Sequence, residues 1–202
     1  DCLSENLKKL SCLESLSLSC GVCNQMSDQS LGIIGESCAA LLNLKRVALC
    51  FDYCPQVSEK GLECLSIGLK RLGLLQSLRI EFRLSCRITE KGVGEFCKIF
   101  ESFPDLKGVH LNVESHSKFT NEGCKIIYHV LLSLPSLEKI TLGSSLRNVN
   151  TVRKVRLEGK QEIQERLKEI IGALGSAKKK SSWKGKLRSF WSCFGKRSAL
   201  KN

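Results

Sequence analysis

Apolar residues recur along this chain at a fixed interval of 31 positions, and a repeat of that length restricts the fold more than any other feature. Leu10, Leu13, Leu16 and Leu18 form the first set. Successive steps give Leu41, Leu44, Val47 and Leu49; Leu72, Leu75, Leu78 and Ile80; Phe103, Leu106, Val109 and Leu111; and Leu134, Leu137, Ile140 and Leu142. The closing pair of each set alternates with other residues, the period of a strand with one buried face, and the earlier spacing of three suits a curved approach to it.

The second half of each unit keeps the same register. Ser27, Ser58, Thr89 and Thr120 stand where a hydroxyl can cap a helix, and a glycine follows three places later at Gly61, Gly92 and Gly123. Beyond the caps, apolar residues return at helical spacing: Leu31, Ile34 and Cys38; Leu62, Leu65 and Leu69; Val93, Phe96 and Phe100; Cys124, Ile127 and Leu131. One strand and one helix cannot bury both of their apolar faces, so the units must stack, with a parallel sheet inside and helices outside.

Runs such as VSEKGLECL at 57–65 and LPSLEKITL at 134–142 resemble the leucine-rich repeat family, in its ribonuclease-inhibitor-like branch, over roughly residues 3–142. The resemblance implies an α/β leucine-rich repeat solenoid and a protein-protein interaction module that grips a protein partner. As alternatives it implies a regulatory fragment of a GTPase-activating protein or of an intracellular immune sensor. The Asn that usually follows the strand is missing and the unit is longer than that branch shows, so no subfamily is assigned.

After Leu142 the register changes. Val149, Val152, Val155 and Leu157 repeat the strand spacing only 15 residues further on, which predicts a shortened unit. Ile163, Leu167, Ile170, Ile171 and Leu174 share one face of a helix expected over 162–174 that caps the stack. The organisation expected is five repeats over 1–146, a shortened repeat and capping helix over 147–175, and a basic aromatic tail over 176–202. The chain opens on Asp1 without a leader pattern, which reads as a piece of a longer protein. No apolar run approaches the ~20 residues that span a bilayer. Twelve cysteines in a repeat chain of this length fit a reducing compartment and a cytoplasmic location, peripheral at the inner membrane surface if the tail binds lipid.

The outward strand positions of such a sheet are Ser15, Ser17, Arg46, Ala48, Ser77, Arg79, Glu81, His110, Asn112, Lys139, Thr141, Lys154 and Arg156. The partner contacts are assigned to Arg46, Arg79, Glu81, His110, Asn112, Lys139, Thr141 and Arg156, whose positive balance points to a partner with an acidic patch, against the alternative of a solvated polar face. Cys20, Cys23, Cys50 and Cys54 would meet at one edge of the sheet. Four thiolates could hold zinc, but the spacing is irregular and favours free thiols, so no metal is expected. His110, His116 and His129 lack a matching nucleophile or paired carboxylates, and no phosphate-cradling GxxxxGK run exists, so neither catalysis nor a cofactor is expected.

The charge of +12 is concentrated at the end of the chain: residues 176–202 carry nine Lys and Arg and no acid. If helical, Trp183, Leu187, Phe190, Trp191 and Phe194 share one face, while Lys178, Lys179, Lys180, Lys184 and Arg188 supply the charge. The pattern fits an anionic membrane surface, a calmodulin-like groove, or, less well, nucleic acid; a solvated tail is the plain alternative. Oligomeric state is not readable from the sequence.

Overall fold

A computed structural model describes residues 2–83, 87–113, 121–144 and 155–176. The elements run α1 (Cys2–Lys8), β1 (Ser15–Ser19), α2 (Asp28–Ala39), β2 (Arg46–Cys50), α3 (Glu59–Leu69), β3 (Ser77–Glu81), α4 (Glu90–Cys97), β4 (Gly108–Val113), α5 (Asn121–Ser133), β5 (Lys139–Ser144), β6 (Val155–Glu158) and α6 (Lys160–Ser176); a short 3-10 segment, Lys98–Ser102, follows α4. The six strands lie side by side in chain order. From β1 to β5 they are parallel and in the register of the sequence interval, so that Leu16, Val47, Leu78, Val109 and Ile140 form one row across the sheet.

The last strand departs from expectation. β6 runs antiparallel to β5, pairing Ile140 with Leu157 and Thr141 with Arg156, so it is not a shortened copy of the preceding units. A parallel return needs a crossover of about a dozen residues or more, usually helical, and the segment between Ser144 and Val155 is too short for one. The architecture is therefore an α/β fold with a mixed, mostly parallel six-stranded sheet and helices, in place of the all-parallel sheet expected.

The core lies between sheet and helices. Leu41, Leu44, Leu65, Leu69, Leu72, Leu75 and Ile140 are wholly buried, and each set from the second to the fifth is interior throughout. The first set is looser: Leu10 is 49% exposed and Leu13 and Leu18 only partly covered, because β1 is an edge strand among the described residues. Ser27, Ser58 and Thr89 each accept a backbone N–H in the first turn of α2, α3 and α4, as their spacing requires.

The glycines three places after the caps have a steric reason. A Cβ at Gly61 would meet the Asp28 carboxylate at 2.5 Å, one at Gly92 would meet Glu59, and one at Gly123 would meet Glu90. The cleared space lets the first two acids reach the next unit's cap: Asp28 accepts from both the backbone N–H and the hydroxyl of Ser58, at 2.7 and 2.6 Å, and Glu59 accepts from the Thr89 hydroxyl. Neighbouring units are thus joined at their helix starts as well as through the sheet. Further along, α2 and α3 touch backbone to backbone, where Gly68 faces Gly35.

Candidate functional site

Helices pack on one side of the sheet, and the alternating strand positions on the other side carry the polar residues. This alternation continues past the ends of β2 and β3. Phe51 and Phe82 turn inward and stack with ring centroids 5.5 Å apart, which leaves Cys50 and Asp52 on one strand facing Glu81 and Arg83 on the next. Four side chains of complementary chemistry meet there because adjacent strands lie ~5 Å apart.

Asp52 is the anchor. Its carboxylate accepts from the Arg83 backbone N–H at 2.7 Å and from Arg83 Nε at 2.7 Å, with Nη2 at 2.6 Å. Burial pushes this carboxyl up, but the hydrogen bonds from Arg83 and from the Cys50 thiol outweigh it and hold it below the usual aspartate value. Cys50 moves the other way: burial is the main cause, and the neighbouring Asp52 carboxylate helps keep the thiol protonated. Glu81, equally buried, accepts from Arg79 Nε at 2.6 Å and from Asn112 Nδ2 at 3.4 Å, and lies 3.5 Å from His110 Nε2 and 3.9 Å from Arg83 Nε.

The layering of charge matters more than its sum. The Asp52 and Glu81 side chains are only 5% and 9% exposed, whereas those of Arg83 and Arg79 are 44% and 54% exposed. The acids form a floor and the guanidinium groups a surface. Beside them lies an open groove of about 400 Å³, lined by Ser17, Ser19, Ala48, Cys50, Arg79, Glu81 and Arg83.

Several expected contacts take other places. Arg46 is exposed on β2. Arg79 and Glu81 form a pair instead of presenting two independent charges, and His110 and Asn112 are half-buried beside Glu81. Thr141 is 6% exposed and is not an available contact, while Lys139 is exposed but paired with Glu158 at 3.1 Å. Arg156 is placed by its backbone alone, opposite Thr141. Lys154, His116 and the tail residues Lys178, Lys179, Lys180, Trp183, Lys184, Leu187, Arg188, Phe190, Trp191 and Phe194 lie outside the described residues. Among the described residues the open surface is therefore concentrated on β1–β3.

The four cysteines do not assemble as a ligand set. Cys54 is fully buried and its thiol donates to the Cys20 carbonyl at 3.2 Å. Among the described residues the cluster with metal-ligand donors is Cys50, Asp52 and Glu81, and both carboxylates already hold a guanidinium. Asp52 and Arg83 escaped the sequence reading because they lie just beyond the strand ends. They are one interval apart, so the same spacing that located the strands pairs them.

No family model and no curated protein matches the sequence. Solved structures do share its fold. The structure titled "Leiomodin-1 Actin-Binding Site 2 (ABS2)" is similar with a TM-score of 0.56 and 11% identity over 92% of this chain and 95% of its own. The tropomodulin C-terminal domain of Caenorhabditis elegans is similar with a TM-score of 0.57 and 11% identity over 86% and 92%.

These findings overturn the assignment to the leucine-rich repeat family and its ribonuclease-inhibitor-like branch, since no family model supports it and the structural likeness is to leiomodin and tropomodulin domains. The physical reason is that the runs at 57–65 and 134–142 encode a helix cap, an apolar helix face and a buried strand. Any α/β unit of this length needs those features, whatever its lineage. Neither solved structure is titled a GTPase-activating protein or an immune sensor. Among the described residues no helix is long and apolar enough to cross a membrane.

Proposed function

We propose that the chain is a protein-binding module whose partner lays an acidic surface against Arg46, Arg79 and Arg83 on the open face of β1–β3. The observation that supports this best is the pair of half-exposed guanidinium groups held over buried carboxylates. An arginine already fixed by a carboxylate loses little side-chain freedom when a second acceptor arrives, so it presents its remaining N–H donors ready oriented. Binding is the role this arrangement favours: both carboxylates beside Cys50 are already engaged by guanidinium groups, and burial keeps that thiol protonated.

Leiomodin-1 shares the fold, which makes actin the first partner to test. The experiment is sedimentation with actin filaments and capture of actin monomer, using wild type, Arg46→Glu, Arg79→Gln, and His129→Ala on the exposed surface of α5. Binding weakened about tenfold by each arginine change and untouched by His129→Ala is the expected result. Equal binding by all four proteins would remove the partner from this face.

For the tail we propose a contact with anionic lipid. Nine cations without an acid attract such a surface at ~1 kcal/mol each near the headgroups, and a helical arrangement of the segment would put both tryptophans on its apolar side.

A further inference from the structure

We infer that the partner meets this groove with a carboxylate-bearing residue next to an apolar one, and that Val22 and Tyr53, on the groove's rim, receive the apolar side chain. The inference rests on the proposed docking at the arginine face and adds the second half of the recognition chemistry.

Val22 and Tyr53 are the two residues other than glycine whose backbones are left-handed among the described residues, with φ of 59° and 56°. They occupy equivalent positions one interval apart. Each donates its backbone N–H across to the next unit: Val22 to the Asp52 carbonyl at 2.7 Å, and Tyr53 to the Arg83 carbonyl at 2.8 Å. The turn is needed to reach those carbonyls, but glycine would make it without strain, whereas a β-branched valine is a genuine outlier there. Gly21 stands immediately before Val22 and is not the residue in the left-handed turn.

Packing does not explain the choice. The Val22 side chain lies on the surface, the residue being 76% exposed, and Tyr53 is 49% exposed. Two strained positions thus carry large apolar side chains that the fold leaves in water. The turn itself serves the hydrogen bonds between units, but a strained non-glycine residue whose side chain the fold leaves exposed points to a use at the surface. The carbonyls that fix this rim belong to Asp52 and Arg83, the ion pair of the guanidinium layer, and Arg83 also lines the groove, so both turns border it at the strand ends. Its charge calls for a carboxylate and its rim for an aliphatic or aromatic neighbour.

The test uses the full chain and three short fluorescein-labelled peptides, alternating Glu with Leu, Glu with Ser, and Lys with Leu, read by fluorescence anisotropy. The Glu/Leu peptide should bind about tenfold more tightly than Glu/Ser, and Lys/Leu not at all. Val22→Gly and Tyr53→Gly should bring Glu/Leu down to the Glu/Ser level, leave Glu/Ser unchanged, and raise Tm by about 2–4 °C each as the strain is relieved. A merely structural role would move Tm downward and both acidic peptides together. Equal affinity for the two acidic peptides, or undiminished Glu/Leu binding by the double glycine variant, overturns the rim inference and leaves docking on the arginines standing. Failure of both acidic peptides to bind overturns the two together.

Discussion

Replacing Gly68 with alanine should destabilise the protein, although alanine is by far the better helix former. The added Cβ would lie 2.0 Å from the Gly35 carbonyl oxygen, 2.2 Å from its carbon and 2.7 Å from its Cα. These are backbone atoms in the facing helix and cannot rotate away. Restoring ordinary contact requires α2 and α3 to part by about 1.5 Å, which loosens the seam that buries Leu31, Ile34, Cys38, Leu65 and Leu69. Alanine gains about 1 kcal/mol in propensity and forced overpacking costs about 1–3 kcal/mol; a backbone clash belongs at or beyond the upper end of that range. The net loss is about 2 kcal/mol, or a fall in Tm of about 4–8 °C for a chain of this size. Gly172 on α6 is the control, because nothing lies within 4 Å of an added Cβ there. Gly172→Ala should stabilise by about 0.5–1 kcal/mol. Urea and thermal unfolding of both variants, with m unchanged, measure the difference. If Gly68→Ala proves as stabilising as Gly172→Ala, the helices are not in backbone contact and the spacing of β2 and β3 beneath them must be rethought.

Asp52→Asn should cost about 1–3 kcal/mol at neutral pH, the lower part of the range reflecting the half-exposed Arg83. Because the folded carboxyl titrates below its unfolded value, its contribution is present above about pH 4 and disappears as pH falls through the folded value, so acid unfolding should be shallower in the variant. Thiol labelling of the native protein at pH 8, read by mass spectrometry, should modify exposed Cys12 and spare Cys38 and Cys124, whose thiols burial pushes up to about 11 and about 12; rapid native labelling of Cys38 would contradict the packing of α2. Flotation with vesicles containing phosphatidylserine should carry the full chain at low salt and not at high salt, and should fail after Trp183→Ala with Trp191→Ala. No flotation at low salt would end the lipid reading, and binding to calmodulin instead would reassign the tail.

Much of the fold was legible because a fixed interval and a strand period of two determine which residues share a face. Leu16, Val47, Leu78, Val109 and Ile140 align in the structure as the interval placed them, and Ser27, Ser58 and Thr89 cap the helices they precede. The direction of β6 was not legible, since apolar spacing is the same whichever way a strand runs; the length of the connection was the better guide. At the site, Arg79, Glu81, His110 and Asn112 were located on one face, but their pairing was not. Opposite charges two positions apart on a strand look like two independent contacts until burial shows which of them forms the floor. Val22 and Tyr53 gave no signal because backbone handedness is invisible in residue type once glycine is absent from the position.

Selection of an acidic partner by the cations of β2 and β3 is tested most directly by charge exchange. Arg46→Glu combined with Arg79→Gln should lose affinity for the Glu/Leu peptide and gain it for the Lys/Leu peptide, with Tm showing that the fold persists. An unchanged preference for Glu/Leu in that variant would contradict the account.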